Sequence, residues 1–521
     1  MRAKGHEVDA ITIELLAVNA ARCQPPLDES EVRKIAEGIC RRYEPEPGAD
    51  TSITTVDLPL TDLGNAERFV EQNGHEIRRC PQIGKWIVWS KRLWAEDVSG
   101  AVQRRAAESI RDLGAYAQQI VRQASADRLA KRITDDEARR IATCAGQISG
   151  WALKSEAAER MRALISLAES LDGVYVDQAR LDAEPWLLNC ANGVIDLRIG
   201  ELKPHDPKLL ITKCITAAFD SAARAPRWET FIHEIMDGRE ELVTFLKRLV
   251  GYCMSGDTRE RCVFVLWGKG RNGKSVFLEV LRALLGDYSR KANIESFLAR
   301  RDSSGANNDI ARLRGARFVY ASESGEGRRL NEALIKDLTG RESVTARFLF
   351  HEYFEFMPQF KLVLGTNFKP EIRGTDAAIW DRIRLIPFDR RFEGAAEDKD
   401  LALKLQCELS GVLRWAVEGC LEWQREGLGE PVEVTGATKE YRTEQDVVGE
   451  FLEERCETNP QALAGATPLF KAFKGWLEEG GRESLSQAAF GTRLTMRGVV
   501  REKIGGHKFY RGIKLLEGIG K

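Results

Sequence analysis

Four near-continuous apolar runs stand out between residues 226 and 400. Runs of this kind, with helical patterns between them, are typical of strands buried on both faces of a parallel sheet. We therefore expect residues 226–400 to form an α/β layered domain. The four runs are CVFVLW at 262–267, ARFVYASE at 316–323, FKLVLGTN at 360–367 and RIRLIPF at 382–388.

The pattern differs on the amino-terminal side of this domain. Residues 1–44 predict a small helical module, in which Asp28 and Glu31 make a capping box ahead of an apolar stripe at helical spacing. Residues 45–60 contain Pro, Gly and charge without periodicity, which indicates a linker. Residues 61–218 predict a mixed α/β domain with a strand pair, long amphipathic helices and short strands near its end.

On the carboxyl-terminal side, residues 401–443 predict a helical extension. Residues 444–521 predict three helices followed by a hairpin-like wing. The last part of this segment, 491–521, holds eight Lys or Arg residues and two Glu residues, a local charge of +6. A helix followed by a basic hairpin favours a winged-helix-like DNA-binding domain over a solvated basic tail on a protein-docking domain. The sequence as a whole thus predicts a multidomain α/β protein.

The composition mainly excludes certain classes of protein and kinds of site. The chain has 521 residues and is 30% charged, yet its formal net charge is −1, so binding to nucleic acid must rely on local basic patches. It contains neither an apolar run of membrane-spanning length nor the apolar core of a signal peptide. The eleven cysteines include no C-x-x-C pair, which argues against a zinc site and fits reduced thiols in a cytosol. We therefore expect no membrane association.

The segment GKGRNGKS at 268–275 fits the phosphate-loop pattern G-x-x-x-x-G-K-[ST]. An apolar strand precedes it and a helical stripe follows it, which is the context that this motif requires. Glycines let backbone N–H groups converge on phosphate oxygens, and the start of the helix adds positive dipole. The four constrained positions would occur by chance in roughly 0.02 of chains of this length. ATP and Mg²⁺ are the expected ligands. Lys274 would reach the phosphates and the Ser275 hydroxyl would bind the metal.

Three later strand ends carry polar residues. Glu323 follows the second apolar run, where a carboxylate can polarise water or hold Mg²⁺, although a surface turn is the alternative. Asn367 ends the third run and is suited to position water, with a simple turn residue as the competing interpretation. Arg382 and Arg384 flank the fourth run. One of them could act as an arginine finger, and a surface ion pair is as good an interpretation of the pattern alone.

This order of motifs resembles superfamily 3 helicases, a branch of the AAA+ ATPases. It is most similar to the phage- and plasmid-encoded primase-helicases related to the poxvirus primase-helicase. The resemblance implies an AAA+-type P-loop core, and segments at 187–207 and before Gly100 resemble the domain that precedes the helicase in this family. The residues that carry it are GYCMSGDTRERCVFVLWGKGRNGKSVFLEVL (251–281), ARLRGARFVYASESGEGRRLNEALIKDLTGRESVTARFLF (311–350), FEFMPQFKLVLGTNFKP (354–370) and DAAIWDRIRLIPF (376–388).

The resemblance also implies roles for individual residues. Many superfamily 3 proteins have two adjacent acids at the Walker B position, whereas this chain has Ser322–Glu323, and Glu326 is a second candidate. The implied catalytic residues are Lys274, Glu323, Asn367 as sensor 1 and Arg382 as the arginine finger. Mg²⁺ would be held by Ser275 and Glu323. The nucleotide-binding loop comprises Gly268, Lys269, Gly270, Arg271, Asn272, Gly273, Lys274 and Ser275.

Family members move along single-stranded DNA with a hairpin that precedes sensor 1. In this chain the hairpin should lie between VTARFLF and FEFMPQF. Basic residues near it could contact phosphates or make salt bridges between subunits. Together with the carboxyl-terminal candidates, the residues expected to bind DNA are Lys336, Arg341, Arg347, His351, Arg493, Arg497 and Lys508.

The sequence therefore predicts an ATP-dependent DNA helicase of phage or plasmid replication. A closed homo-oligomeric ring, expected to be a hexamer, would act on single-stranded and forked DNA in a bacterial host cytosol, in concert with a primase or replication initiator. An ATP-gated DNA clamp or origin-recognition factor that does not unwind DNA is the alternative. A third interpretation is a primase-helicase whose priming half is missing, since residues 1–44 resemble the end of a primase region.

Overall fold

The computed structural model describes residues 12, 15, 27–42, 58–299, 308–322, 325, 327–349, 351–372, 377–394, 397–480 and 485–516. The predicted acids at 323 and 326 and nearly all of residues 1–26 lie outside this set. The chain divides into two compact units. The first comprises Met1–Trp89 and Ala95–Gln178, and the second comprises Ser90–Trp94 and Ala179–Lys521.

The first unit is mainly helical. Its longest helices are predicted by amphipathic spacing, and the second of them begins at a capping box in which Thr134 and Glu137 bond to each other's backbone N–H. Its core is formed by apolar residues that the helices share, including Phe69, Ile110 and Leu164. The helices are α1 Glu29–Arg42, α2 Asp62–Asn73, α3 Ala101–Leu129, α4 Asp135–Ser155 and α5 Ala158–Ala168, and a three-stranded sheet contains β1 Ile77–Cys80, β2 Lys85–Trp89 and β3 Trp94–Glu96.

The second unit begins with a small antiparallel sheet of β4 Leu187–Cys190, β5 Gly193–Asp196 and β6 Glu201–Lys203. The sequence pattern grouped these strands with residues 61–218. In the structure their buried residues Leu188 and Ile195 instead share a core with the helices and strands that follow them. Two helices come next, α6 Pro226–Ile235 and α7 Glu240–Met254.

A five-stranded parallel sheet forms the centre of the second unit, as the apolar runs predict. Its strands lie in the order β13-β7-β12-β9-β8. Along β7, Phe264 and Leu266 belong to one apolar cluster and Val263 and Val265 to another, so successive side chains enter cores on opposite faces. This burial on both faces explains the continuous apolar runs. The strands are β7 Val263–Trp267, β8 Ser289–Lys291, β9 Phe318–Ser322, β12 Lys361–Thr366 and β13 Ile383–Pro387.

The predicted hairpin before Asn367 is present. Its strands β10 Val344–Ala346 and β11 Phe354–Phe356 pair in antiparallel fashion. Other helices cover the parallel sheet, and α7 approaches α13 so closely that a Cβ on Gly251 would lie 2.1 Å from Cys420 N. These helices are α8 Lys274–Leu285, α9 Asn308–Ala311, α10 Glu332–Thr339, α11 Ala377–Trp380, α12 Leu401–Gln406, α13 Leu409–Glu426 and α14 Val432–Glu444.

In the described residues of the carboxyl-terminal segment, 447–480 and 485–516, there are three helices and the predicted hairpin, with one additional strand. That strand, β14, contains Pro460 and shows a register irregularity between Thr458 and Leu463 where it pairs with β16. Proline cannot donate to a strand ladder, so the irregularity accommodates it. The elements are α15 Val447–Arg455, β14 Cys456–Gly465, α16 Ala466–Glu479, α17 Gln487–Met496, β15 Val500–Ile504 and β16 His507–Leu515.

Candidate nucleotide-binding site

The carboxyl ends of the central strands lie at one edge of the sheet. Thr366 of β12 is aligned with Trp267 of β7, and Gly365 is aligned with Ser322 of β9. The glycine-rich loop follows β7 directly, Asn367 follows β12, and position 323 follows β9. In open sheets of this type ligands bind outside the carboxyl ends of the strands. The topology therefore brings the glycine-rich loop and Asn367 to the edge where a ligand is expected.

The backbone of the loop accounts for two of its glycines. Gly273, just before α8, has φ 84°, and a Cβ there would lie 2.5 Å from Ile235 Cγ2. A Cβ on Gly268 would lie 2.4 Å from the carbonyl oxygen of Phe388. That same carbonyl accepts a hydrogen bond from the Asn272 side-chain amide at 3.1 Å. The loop is thus fixed against the segment after β13, and a side chain at either glycine would displace it.

Lys274 begins α8 and its side chain is buried. Its ammonium group donates hydrogen bonds to Gly268 O at 2.7 Å, Asn272 Oδ1 at 2.9 Å and Asn367 Oδ1 at 3.2 Å. Burial lowers the pKa of this ammonium group from 10.5 to about 8. The lysine has neutral oxygen partners here, which leaves its charge available to an anionic ligand.

A pocket of about 380 Å³ opens above the loop. Its wall combines loop residues with the strand ends, including Ser322, Thr366 and Asn367. Ser275 lines it and is exposed, so its hydroxyl can reach a bound group. Backbone N–H groups at a helix start, a buried lysine and a serine hydroxyl form a donor set that fits a phosphate chain with its Mg²⁺. Thr366 and Leu278 were not singled out by the sequence, since only the fold brings them to the loop.

A second pocket of about 190 Å³ adjoins the first and shares Arg271, Gly273 and Val276 with it. Phe231 of α6 and Phe392, after β13, provide its apolar surface. Carboxylates also line it, contributed by Glu234, Glu397 and Asp398. Neither aromatic residue belongs to a motif, so this pocket could not be predicted from the sequence.

Arg382 lies far from this edge. It immediately precedes β13, and its carbonyl accepts a hydrogen bond from Val263 N at the start of β7. The guanidinium donates to Thr339 Oγ1 at 3.2 Å and to Ala378 O. Five strand residues separate this position from the loop edge, a rise of about 16 Å. Arg382 therefore does not reach the loop of its own subunit.

The DNA-binding candidates around the hairpin lie in different surroundings. Lys336 lies in α10, and the Arg341 guanidinium is 3.6 Å from the Asp257 carboxylate. The Arg347 guanidinium lies 4.5 Å from the centre of the Tyr353 ring, and the His351 ring is 6.4 Å from that of Phe348. The turn between the strands also exposes the apolar residues Phe348, Leu349 and Tyr353. A sequence pattern of basic residues does not indicate these exposed apolar side chains.

The carboxyl-terminal candidates also differ from one another. Arg493 is buried, with 9% of its surface exposed, and Arg497 forms an ion pair with Asp446. Arg493 is covered because α17 packs this face against neighbouring elements, whereas Arg497 follows α17 at an exposed position and its guanidinium is paired with the Asp446 carboxylate. Lys508 is exposed on β16, close to the turn of the wing.

Within the described residues, no helix combines the length and apolar character that are needed to cross a bilayer. Across the same residues, no group of three or more His, Cys, Asp or Glu side chains is arranged to hold a metal ion. Glu323 is not among these residues.

The fold and site together define a multidomain α/β protein with a glycine-rich loop at the ligand-binding edge of a parallel sheet. A family profile described as "D5 N terminal like" matches residues 66–237, and a family of unknown function matches residues 266–382. The two matched segments together cover more than half of the chain.

Curated relatives come from large DNA viruses. A helicase-named protein of Acanthamoeba polyphaga mimivirus is 29% identical over 321 residues, which is 57% of this chain and 33% of that protein. A helicase-named protein of Frog virus 3 is 29% identical over 44% of this chain and 26% of its own length. Primase D5 of Fowlpox virus is 22% identical over 43% of this chain and 30% of its own length. The chain thus spans about a quarter to a third of each relative.

Among solved structures, the C-terminal region of NrS-1 aligns with 69% of this chain and 90% of its own, at 11% identity and a TM-score of 0.41. The sequence matches are the informative ones. They show that the chain is similar to the D5-type proteins and to viral proteins named as helicases and as primase.

Proposed function

We propose that the chain is an ATP-dependent DNA helicase of superfamily 3 type that acts in phage or plasmid replication, as a hexameric ring moving on single-stranded DNA. The observation that carries this proposal is the buried Lys274 ammonium, held between the glycine-rich loop and Asn367 at the ligand-binding edge of the sheet. The viral relatives named as helicases and as primase support the choice of a DNA motor over other P-loop enzymes.

The geometry suggests what each residue does. Backbone N–H groups of residues 270–274 bind the phosphates, and Lys274 exchanges its carbonyl and amide partners for phosphate oxygens. Asn367 is then released from the lysine and its amide can orient the attacking water. Mg²⁺, held by Ser275 and an acid at 323, would neutralise charge on the phosphates. The pocket that contains Phe231 and Phe392 receives the nucleobase, whose faces suit apolar walls.

The pKa of Lys274 makes nucleotide binding dependent on pH. Because phosphate charge favours the ammonium form, binding raises a pKa that burial has lowered to about 8. Below pH 8 the lysine is already charged, so binding takes up almost no proton there. Above pH 8 we expect uptake approaching one proton and an affinity that falls as the pH rises. Calorimetric titration with a non-hydrolysable ATP analogue, in buffers of different ionisation enthalpy at pH 7 and pH 9, measures this.

The Lys269→Ala variant is the matched control for that measurement, because Lys269 is an exposed lysine of the same loop. It should retain the uptake at pH 9, whereas Lys274→Ala should lose it. Equal uptake by all three proteins would show that the proton goes elsewhere.

A strand-displacement assay distinguishes the proposed helicase activity from the alternative, an ATP-gated DNA clamp that does not unwind DNA. The exposed apolar turn of the β10–β11 hairpin and its basic neighbours favour a surface that grips a single strand. We expect ATP-dependent release of a labelled strand from a forked duplex, together with ATPase activity that DNA stimulates. DNA-stimulated ATPase without any release would favour the ATP-gated clamp or origin-recognition factor instead.

A further inference from the structure

Two fully buried cations lie at the amino ends of neighbouring strands. Arg317 immediately precedes β9, and Lys361 begins β12 and donates its backbone N–H to Arg317 O at 2.9 Å. Their side chains bond to backbone carbonyls, and no ion pair joins either to a carboxylate within the described residues. Burial of a cation that has no carboxylate partner is costly, and burial lowers the pKa of Lys361 to about 7. Such residues call for an explanation that the nucleotide pocket does not supply.

Both cations hold the same turn. Arg317 donates to Met254 O at 2.8 Å, while the Lys361 ammonium donates to Ser255 O and, at 3.2 Å, to Asp257 O. The turn that ends α7 is therefore fixed to the amino edge of the parallel sheet. Carbonyl oxygens that accept from a buried charge form strong hydrogen bonds, so the position of Asp257 is closely defined.

The Asp257 carboxylate is directed at two arginines. Arg259 binds it at 2.6 Å and also lies over the rings of Trp186 and Trp423, at 5.2 Å from the latter, which immobilises it. On the other side the carboxylate meets the Arg341 guanidinium at 3.6 Å. Only 13% of the Asp257 side chain is exposed, so solvent screens these ion pairs less than surface pairs.

Arg341 lies in the short connection between α10 and β10, and we call this connection the root of the hairpin. Its φ is 65°, a left-handed conformation that non-glycine residues adopt at a cost. A residue in this conformation persists when neighbouring contacts hold it. The strand that carries Lys361 at one end is followed at the other by Asn367, which contacts Lys274. One strand thus connects the loop edge to the turn that holds the hairpin.

We propose that Asp257 is a positioning residue, which fixes the root of the β10–β11 hairpin through Arg341 to the amino end of β12. Movements of β12 that follow the nucleotide state then reach the hairpin. This role rests on the proposed helicase function. It also changes the interpretation of Arg341, which becomes an anchor of the hairpin and not a direct contact to DNA phosphate.

The Asp257→Asn variant separates the two roles by the direction of the change. If Arg341 contacts DNA, removing its carboxylate partner should tighten binding to single-stranded DNA. If Asp257 positions the hairpin, binding should weaken and the DNA stimulation of ATPase should fall by about tenfold. ATPase without DNA should stay within about twofold of the parent protein, because the turn lies at the opposite edge of the sheet. Steady-state ATPase with and without DNA, and fluorescence anisotropy of labelled oligonucleotide, measure these values.

The double variant Asp257→Asn with Arg341→Ala provides an independent readout. Since both changes break one contact, it should lose no more stimulation than Asp257→Asn alone. Asp136→Asn is the matched control, since it removes an exposed ion pair with Arg139 in the first unit, and it should resemble the parent protein.

Tighter DNA binding, additive losses, unchanged stimulation or an equal fall of basal and stimulated ATPase would each overturn the positioning role. Failure of the proposed function looks different, because the parent protein itself would then show no DNA-stimulated ATPase, and the positioning role would fall with it.

Discussion

Replacing Lys274 by alanine should lower the rate constant for ATP hydrolysis by about 10²- to 10³-fold, as the loss of one buried charged donor to a transferring phosphoryl group does in enzymes generally. The ammonium is buried, its hydrogen-bond partners among the described residues are neutral oxygens, and the pocket lies directly beside it. Alanine removes the charge but keeps α8 and the glycines of the loop. Steady-state phosphate release at saturating ATP and DNA measures the effect.

The Lys269→Ala variant controls for changes to the loop that do not involve the site. Its side chain is exposed and does not line the pocket, so its rate should remain within about twofold of the parent value, as surface substitutions usually do. Thermal melting should show that both variants remain folded. ATPase activity that survives in Lys274→Ala at the parent rate would mean that the pocket above the loop is not the site of hydrolysis.

The central sheet could be predicted well because its strands are buried on both faces. Burial of Val263 and Phe264 on opposite sides leaves no polar position to interrupt the run of β7. The apolar residues of β9 and β12 also enter both cores, whereas Arg384 interrupts the run of β13. The hairpin of β10 and β11 and the helix after the phosphate loop were also predicted. Strand β14 was missed, since Pro460 weakens the strand pattern and only the tertiary pairing with β16 shows that an irregularity accommodates it.

The residues of the candidate site also differ in how well the sequence predicts them. Lys274 belongs to the glycine-rich motif and Asn367 ends an apolar run, so both can be recognised from their neighbours in the sequence. The structure brings their side chains to 3.2 Å. Counting charges could not distinguish Lys508, which is exposed, from Arg493, which is buried, because burial depends on how α17 packs. No pattern in the sequence indicated Asp257. Its proposed positioning role depends on Lys361, which is more than a hundred residues away in the chain.

Arg382→Ala and Lys274→Ala subunits, each inactive alone, should regain ATPase activity when they are mixed. Arg382 lies at the amino edge of the sheet, whereas the loop lies at the carboxyl edge, so one subunit cannot bring the two together. In a ring, the amino edge of one subunit can face the loop of the next. An Arg382→Ala subunit supplies an intact loop, and a Lys274→Ala neighbour supplies an intact arginine.

Random assembly from equal amounts of the two variants gives this arrangement at about a quarter of the interfaces, so recovery should approach a quarter of the parent rate. Denaturing and refolding the subunits together, or mixing below the concentration at which rings form, allows the exchange. Arg384→Ala is the matched control, because Arg384 lies in β13 and its side chain donates to the carbonyls of Asp381 and Ile383. If Arg382 is the residue that crosses the interface, Arg384→Ala should keep the parent ATPase activity on its own, and the mixture of Arg382→Ala with Lys274→Ala should recover activity. If that mixture recovers no activity at any ratio, Arg382 does not complete the nucleotide site of a neighbouring subunit.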